Sequence, residues 1–286
     1  MLEYPEVTAR AEELRAHVTG KRIKSVLPPT KPHKFCWFSG EAADYEKKLA
    51  GSTVAGAEGF GIFVELVFDN GQLPCINDGV NMRLVDSGDK IKDWQLFLAF
   101  EDGAALVFTV AMYGGIYLHT GEYDDPYYLK SRKALAPGDE GFAAYYRWLL
   151  EESKPNLSAK ALLATEQRFP GIGNGVAQDI LFQAGIHPKR KLGTLTEPDR
   201  VRLLESIRSV LAEMAASRFS TGERRGRKKR AGIRISGSIR QPQCAACLPE
   251  QLFLVPLSPF PGSRRLRLNR QPHPSLLPIP QTIPRF

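Results

Sequence analysis

The 286-residue chain has no run of 18 apolar residues, which excludes a helical membrane span. Its first 22 residues carry Glu3, Glu6, Glu12 and Glu13 and lack a signal-peptide core, so the start reads as that of a mature cytosolic protein. Cysteine is scarce: of Cys36, Cys75, Cys244 and Cys247, only the last two stand close, as C-x-x-C. That excludes a disulfide framework and points, in an intracellular protein, to metal or redox chemistry. Aspartate is absent after Asp199, and from Arg218 onward fourteen Lys and Arg face two Glu, a net +12. The whole chain carries +8, so its first 217 residues carry −4. Non-specific attraction to nucleic acid therefore resides in the tail. A hydrophobic period is missing from residues 241–286, which hold ten prolines in 46 positions and are expected to be disordered. The remainder, with 43% hydrophobic residues overall, is long enough for two domains with real cores.

The most informative stretch is 156–188, NLSAKALLATEQRFPGIGNGVAQDILFQAGIHP. Asn156 or Ser158 caps a first helix carrying Ala161, Leu162 and Leu163, which must stop before Pro170. Gly171 and Gly173 flank Ile172, and Asn174 stands where a second helix needs its N-cap, ahead of Val176, Ile180, Leu181 and Ala184. Gly185 ends that helix and Pro188 forbids its resumption. Helix-terminal N–H groups beside glycines make a cradle for an anion such as a phosphate. A plain αα-hairpin in a bundle core fits the same spacing.

At the other end, Val7, Ala11, Leu14 and Val18 mark a buried helical stripe closed by Gly20. Glu3 and Glu6 beside Pro5 suit the positive pole of that helix. Strand patterns follow: residues 63–68 read FVELVF, and turns at 69–71 and 101–103 separate apolar runs. Several short strands with regular turns predict an α+β chain, a β-sandwich with a leading helix followed by an all-α domain. In the second domain Val201, Leu204, Ile207, Leu211 and Met214 are expected to form the buried stripe of a last helix.

The 171–188 segment, GIGNGVAQDILFQAGIHP, preceded by LLATEQ, resembles the helix–two-turn–helix motif of the formamidopyrimidine-DNA glycosylase and endonuclease VIII family. The specific pieces are G-x-G-N, D-x-L-F and A-G-I-H-P, and a fainter likeness covers residues 1 to about 217. The resemblance implies that Lys160 and Asn174, with Gly171 and Gly173, hold the DNA backbone. It also implies an N-terminal catalytic centre. Members begin P-E-L-P-E-V after the initiator methionine; the proline amine attacks the sugar C1′ and the adjacent glutamate moves protons. Here Glu3, Pro5, Glu6 and Val7 match, while Leu2 holds the nucleophile's position and, being bulky, is expected to block removal of Met1. An α-amine with a pKa near ~7.7 is a competent nucleophile at neutral pH whichever residue carries it.

The family's strand lysine falls on or beside Phe60, and residues 51–70 hold no Lys or Arg. Its base-step wedge falls on Met112 and Tyr113 in one loop, for which packing in the sandwich rim is the competing reading, and, less clearly registered, on Met82 beside Arg83 in another. The family's zinc ribbon needs two C-x-x-C pairs. Cys244 and Cys247 supply one, His273 is the remaining soft ligand, and a closed site needs four. The abrupt change after Arg218 reads as a shifted frame or extreme divergence.

The expected organisation is a catalytic-type sandwich over 1–122, a linker over 123–141, a helix–two-turn–helix domain over 142–218 and a basic tail over 219–286. The expected function is that of a base-excision DNA glycosylase with associated lyase activity on oxidised bases, a monomer acting on damaged double-stranded DNA in the cytoplasm at the nucleoid. The alternative is a catalytically impaired protein that binds damaged DNA on the same scaffold. An RNA- or ribosome-associated protein is a third class, against which the sandwich argues.

Overall fold

The computed structural model describes residues 2–86, 91–228 and 234–235, with side chains described up to residue 217. Helix α1 (Tyr4–Val18) opens with Pro5 in its first turn and a capping box in which Glu3 and Glu6 satisfy each other's backbone N–H groups. Its Val7, Ala11, Leu14 and Val18 are all buried, as their spacing predicts. The chain then runs through β1 (Ile23–Leu27), β2 (Cys36–Phe38), a short α2 (Tyr45–Leu49), β3 (Val54–Phe60), β4 (Phe63–Phe68), β5 (Leu73–Ile76), β6 (Val80–Val85), β7 (Leu96–Phe100), β8 (Ala105–Val110) and β9 (Gly114–His119). Gly71 and Gly103 take the positive φ angles, 78° and 88°, that the turns after β4 and β7 require.

These strands form two five-stranded sheets, ordered β1-β7-β8-β6-β10 and β2-β9-β5-β4-β3, where β10 is Arg234–Ile235. Every pairing is antiparallel except β2 with β9. One apolar core contains Leu96, Leu98 and Phe108 of the first sheet, Val64, Leu66 and Ile116 of the second, and Val7 and Leu14 of α1. This is the expected sandwich with its leading helix. Strand β4 is buried on both faces, since its Phe63 side is covered by α3 (Pro126–Lys133), whose Tyr128 packs with Ile62 and Cys75. Residues 123–141, expected to be a linker, thus carry a helix capped by Asp125, which accepts from Tyr128 N at 2.7 Å.

A second core gathers α4 (Phe142–Glu152), α5 (Ala159–Ala164), α6 (Asn174–Gln183) and α7 (Glu197–Lys228). The buried stripe of α7 is Leu203, Ile207, Val210 and Leu211, with Leu204 and Met214 half-buried and Val201 exposed. The expected stripe thus holds at Leu204, Ile207, Leu211 and Met214, fails at Val201, and omits the buried Leu203 and Val210. Thr196 and Asp199 set the start of α7, and Leu203, Ile207 and Val210 then follow the i, i+4, i+7 spacing of one face. The tail expected from residue 219 begins as helix, because the α7 backbone continues to Lys228 and no proline intervenes between Pro198 and Pro242. The proline-rich stretch expected to be disordered, with Cys244, Cys247 and His273, lies outside the described residues. Among the described residues no helix is long and apolar enough to cross a membrane.

Candidate nucleic-acid interface

The two ends of the sequence argument meet in one place. Tyr4 N donates to Gly171 O at 2.8 Å, docking the start of α1 on the hairpin between α5 and α6. The Glu3 carboxylate then reaches the N-terminus of α6, where Oε1 accepts from Gly175 N at 3.1 Å and Oε2 from Val176 N at 3.3 Å. Glu3 N in turn donates to Glu6 Oε2 at 3.1 Å. A carboxylate on free N–H groups at the positive pole of a helix gains charge-assisted hydrogen bonds, a seat of about 1–2 kcal/mol. The cradle anticipated for a phosphate therefore already holds an anion, the side chain of Glu3.

The glycines explain why the seat is so close. A Cβ on Gly173 would collide with Glu3 Oε1 and sit 3.1 Å from its Cδ. Gly171 has φ 85° and lies against Tyr4 Cβ at what would be 3.0 Å from its own Cβ. Gly173, not Asn174, is the N-cap of α6, and Asn174 occupies the first helical position with its side chain exposed. Lys160 is half-exposed on α5, whose N-cap Ser158 accepts from Ala161 N at 3.2 Å. Among the described residues neither Lys160 nor Asn174 has a side-chain hydrogen bond or ion pair.

The hairpin tip holds backbone strain. Glu166 and Gln167 both have positive φ, 55° and 51°, each a cost of about 1–3 kcal/mol for a residue with a side chain. Arg168 fastens the loop, donating to Thr165 O at 3.2 Å and to Glu166 Oε2 at 2.6 Å, while Tyr145 Oη donates to Arg168 O at 2.6 Å. Lys130 Nζ donates to Glu166 O at 2.8 Å, and burial together with the nearby Arg168 charge pushes its pKa down.

Three loops converge at one rim of the sandwich. Gly79 N donates to Tyr113 O at 3.1 Å, Gly115 N to Asn77 Oδ1 at 2.8 Å, and Gly114 N to Phe35 O at 3.0 Å. Met112 stands out with 72% of its surface exposed, and Tyr113 is exposed beside it. Met82, expected at the same rim, is instead fully buried. It lies on β6, not in a loop, and the alternation of that strand turns it into the sandwich core with Val80. Leu2 is also buried, its side chain anchored in the same core next to Glu3.

One cluster was missed from the sequence, because its members are scattered. Glu65 of β4, Cys75 of β5 and His119 of β9 bring ligand-type atoms within 4.8 Å of one another. Their chemistry does not suit a cation. Gly121 N donates to His119 Nδ1 at 3.1 Å, so the proton of a neutral ring lies on Nε2, the atom 3.3 Å from Glu65 Oε2. Tyr128 Oη donates to Glu65 Oε2 at 2.7 Å and Arg132 Nη1 lies 3.3 Å from Oε1. Burial, and then the Glu65 charge, raise the Cys75 pKa well above that of a free thiol. The cluster clamps α3 to β4. The other candidate ligands, Cys244, Cys247 and His273, lie outside the described residues.

No family model matches the chain. Curated relatives do: the formamidopyrimidine-DNA glycosylase of Polynucleobacter necessarius is 27% identical over 222 residues, which is 74% of this chain and 77% of the relative. That of Laribacter hongkongensis is 29% identical over 226 residues, 77% and 80% of the two chains. Among solved structures, a complex of Lactococcus lactis Fpg with DNA containing an abasic site superposes with a TM-score of 0.64, at 22% identity over 75% of this chain and 78% of that one.

Proposed function

We propose that the chain is a member of the formamidopyrimidine-DNA glycosylase and endonuclease VIII family, a base-excision repair glycosylase with associated lyase activity that acts on oxidised bases in double-stranded DNA. The observation that carries the reading is the seat of Glu3 on Gly175 N and Val176 N. It makes the DNA-gripping hairpin and the N-terminal chemistry one centre. Lys160 and Asn174 hold phosphates on either side of the hairpin, Gly171 and Gly173 let backbone come close, and Met112 with Tyr113 presses against the base step. Glu3, fixed by the helix end and supported by Glu6, moves protons at the sugar. An α-amine at the start of the chain attacks C1′, forming an N–C bond as the glycosidic bond breaks and the base leaves. The C1′–O4′ bond then breaks, with Glu3 giving O4′ its proton, and the open-chain iminium loses a C2′ proton and eliminates the 3′ phosphate. The protein works as a monomer in the cytoplasm, associated with the nucleoid.

The buried Leu2 favours a second reading, a protein that binds damaged DNA without cutting it, because Leu2 replaces the nucleophilic proline. Cleavage of an abasic-site duplex separates the two. A glycosylase-lyase nicks the duplex, and Glu3→Gln slows the nicking by ~10²-fold or more while binding persists. A duplex bound tightly and left intact by the wild type would establish the second reading instead.

A further inference from the structure

On a sandwich whose large aromatics are mostly buried, two stand out in sequence proximity: Phe35 is 47% exposed and Trp37 is 49% exposed. Cys36 and Phe38 pack against the core, so strand alternation turns Trp37 to the opposite, outer face, and Phe35 stands exposed in the turn that leads into the strand. The partner strand puts no side chain directly beside Trp37. Trp37 pairs with Gly115 of β9, which has no side chain, and the Tyr117 ring lies over that glycine. The pair is continuous with the rim described above, because Phe35 O accepts from Gly114 N, one residue beyond Tyr113. Residues 29–40 themselves contain Lys31, His33 and Lys34 and no acid. Lys34 Nζ stands 5.3 Å from the centroid of the Phe35 ring, and Lys31 pairs with Asp93 at 3.0 Å.

Flat aromatic faces interleaved with cations suit one kind of occupant, an unpaired nucleobase with its phosphate. A paired, stacked base offers no face to them, whereas a duplex interrupted by a lesion or an abasic site does. We propose that Phe35 and Trp37, with Lys34, form a stacking platform for an unpaired base beside the lesion, contiguous with Met112 and Tyr113. This rests on the reading of the protein as one that binds damaged DNA, and it adds the part of the surface that distinguishes a broken base stack from an intact one.

The test uses the full-length protein, fluorescence anisotropy and two labelled duplexes of one sequence, intact and carrying an abasic site. Trp37→Ala weakens binding to the abasic-site duplex by roughly 5- to 100-fold, the range set by one base–aromatic stack, and changes binding to the intact duplex much less. Trp37→Phe restores most of the loss, and unchanged circular dichroism of the alanine variant shows that folding is not the cause. Equal losses on both duplexes, or no loss on either, would overturn the platform. If Asn174→Ala weakens binding while Trp37→Ala does not, the platform is wrong and the DNA-binding reading stands. If the wild type fails to bind the abasic-site duplex at all, the reading beneath it falls as well. A wild-type dimer in sedimentation that Trp37→Ala dissolves would assign the patch to self-association and overturn the proposal.

Discussion

Replacing Gly173 by alanine perturbs the proposed catalytic seat with a single carbon. The position has φ −97° and ψ −167°, which any residue adopts, so the substitution strains no backbone torsion. Its whole effect comes from the added Cβ, which would overlap Glu3 Oε1 and press on Cδ and Cγ at 3.1 and 3.2 Å. Ordinary carbon–oxygen contact requires the carboxylate to retreat by about 1 Å, and the hydrogen bonds from Gly175 N and Val176 N, now 3.1 and 3.3 Å, are then lost. Hydrogen bonds to a charged acceptor contribute ~1.5–3 kcal/mol each, and water recovers part of that for a half-exposed group. A net loss of about 2 kcal/mol lowers Tm by roughly 4–8 °C for a domain of this size. The same displacement of a catalytic group costs ~10²-fold in rate. Calorimetric melting and single-turnover cleavage of an abasic-site duplex, each measured on wild type and Gly173→Ala, read the two quantities. If the variant cleaves within about threefold of wild type, the Glu3 seat has no part in the chemistry and the reasoning fails.

Asn174→Ala is expected to weaken DNA binding about fivefold, the equivalent of one hydrogen bond of ~1 kcal/mol, without shifting Tm, and Lys160→Ala to reduce the slope of log K against log salt by about 1; unchanged affinity and slope would make the hairpin a core-packing element only. Met82→Ala should cost ~2–5 kcal/mol in urea unfolding because it empties a core position, whereas Met112→Ala should leave stability unchanged and weaken binding to abasic-site duplex. Glu13, buried on α1 with only Arg10 to offset its desolvation, has its pKa pushed up to about 7. The folded state thus holds a proton that the unfolded chain releases near pH 4.5, so stability falls as pH rises from about 4.5 to 7 and the loss persists above that. Glu13→Gln should remove this pH dependence and gain on the order of 1–2 kcal/mol at pH 8; a wild-type stability that rises across the same interval would refute the assignment.

Periodicity made much of this fold legible. The α1 stripe, the FVELVF strand and the glycine-punctuated hairpin are all local patterns, and the structure follows them. The α7 stripe was legible only in part because its sequence is apolar at neighbouring positions, Leu203 beside Leu204 and Val210 beside Leu211, and packing of the helix decides how deeply each is buried. Met82 was misassigned for a related reason: VNMRLV reads as loop or strand until its pairing with β8 is known. The Glu3 seat joins residues separated by 172 positions, and no window along the chain could show it. The Glu65–His119–Tyr128 clamp was invisible likewise, being built from two strands and a helix. Phe35 and Trp37 did leave a signal, an aromatic alternation within a Lys- and His-bearing run, but exposure and not sequence separates a platform from a core strand.

In the proposed chemistry the N-terminus, seated through Glu3 on the α6 helix end, forms a covalent bond to the sugar of damaged DNA. Borohydride reduction of the protein mixed with an abasic-site duplex tests it directly, with mass spectrometry of the trapped peptide. The expected result is a stable adduct that maps to the N-terminal peptide and is suppressed in Glu3→Gln and Gly173→Ala. Saturating, salt-sensitive binding with no adduct, or an adduct on an internal lysine, would contradict it.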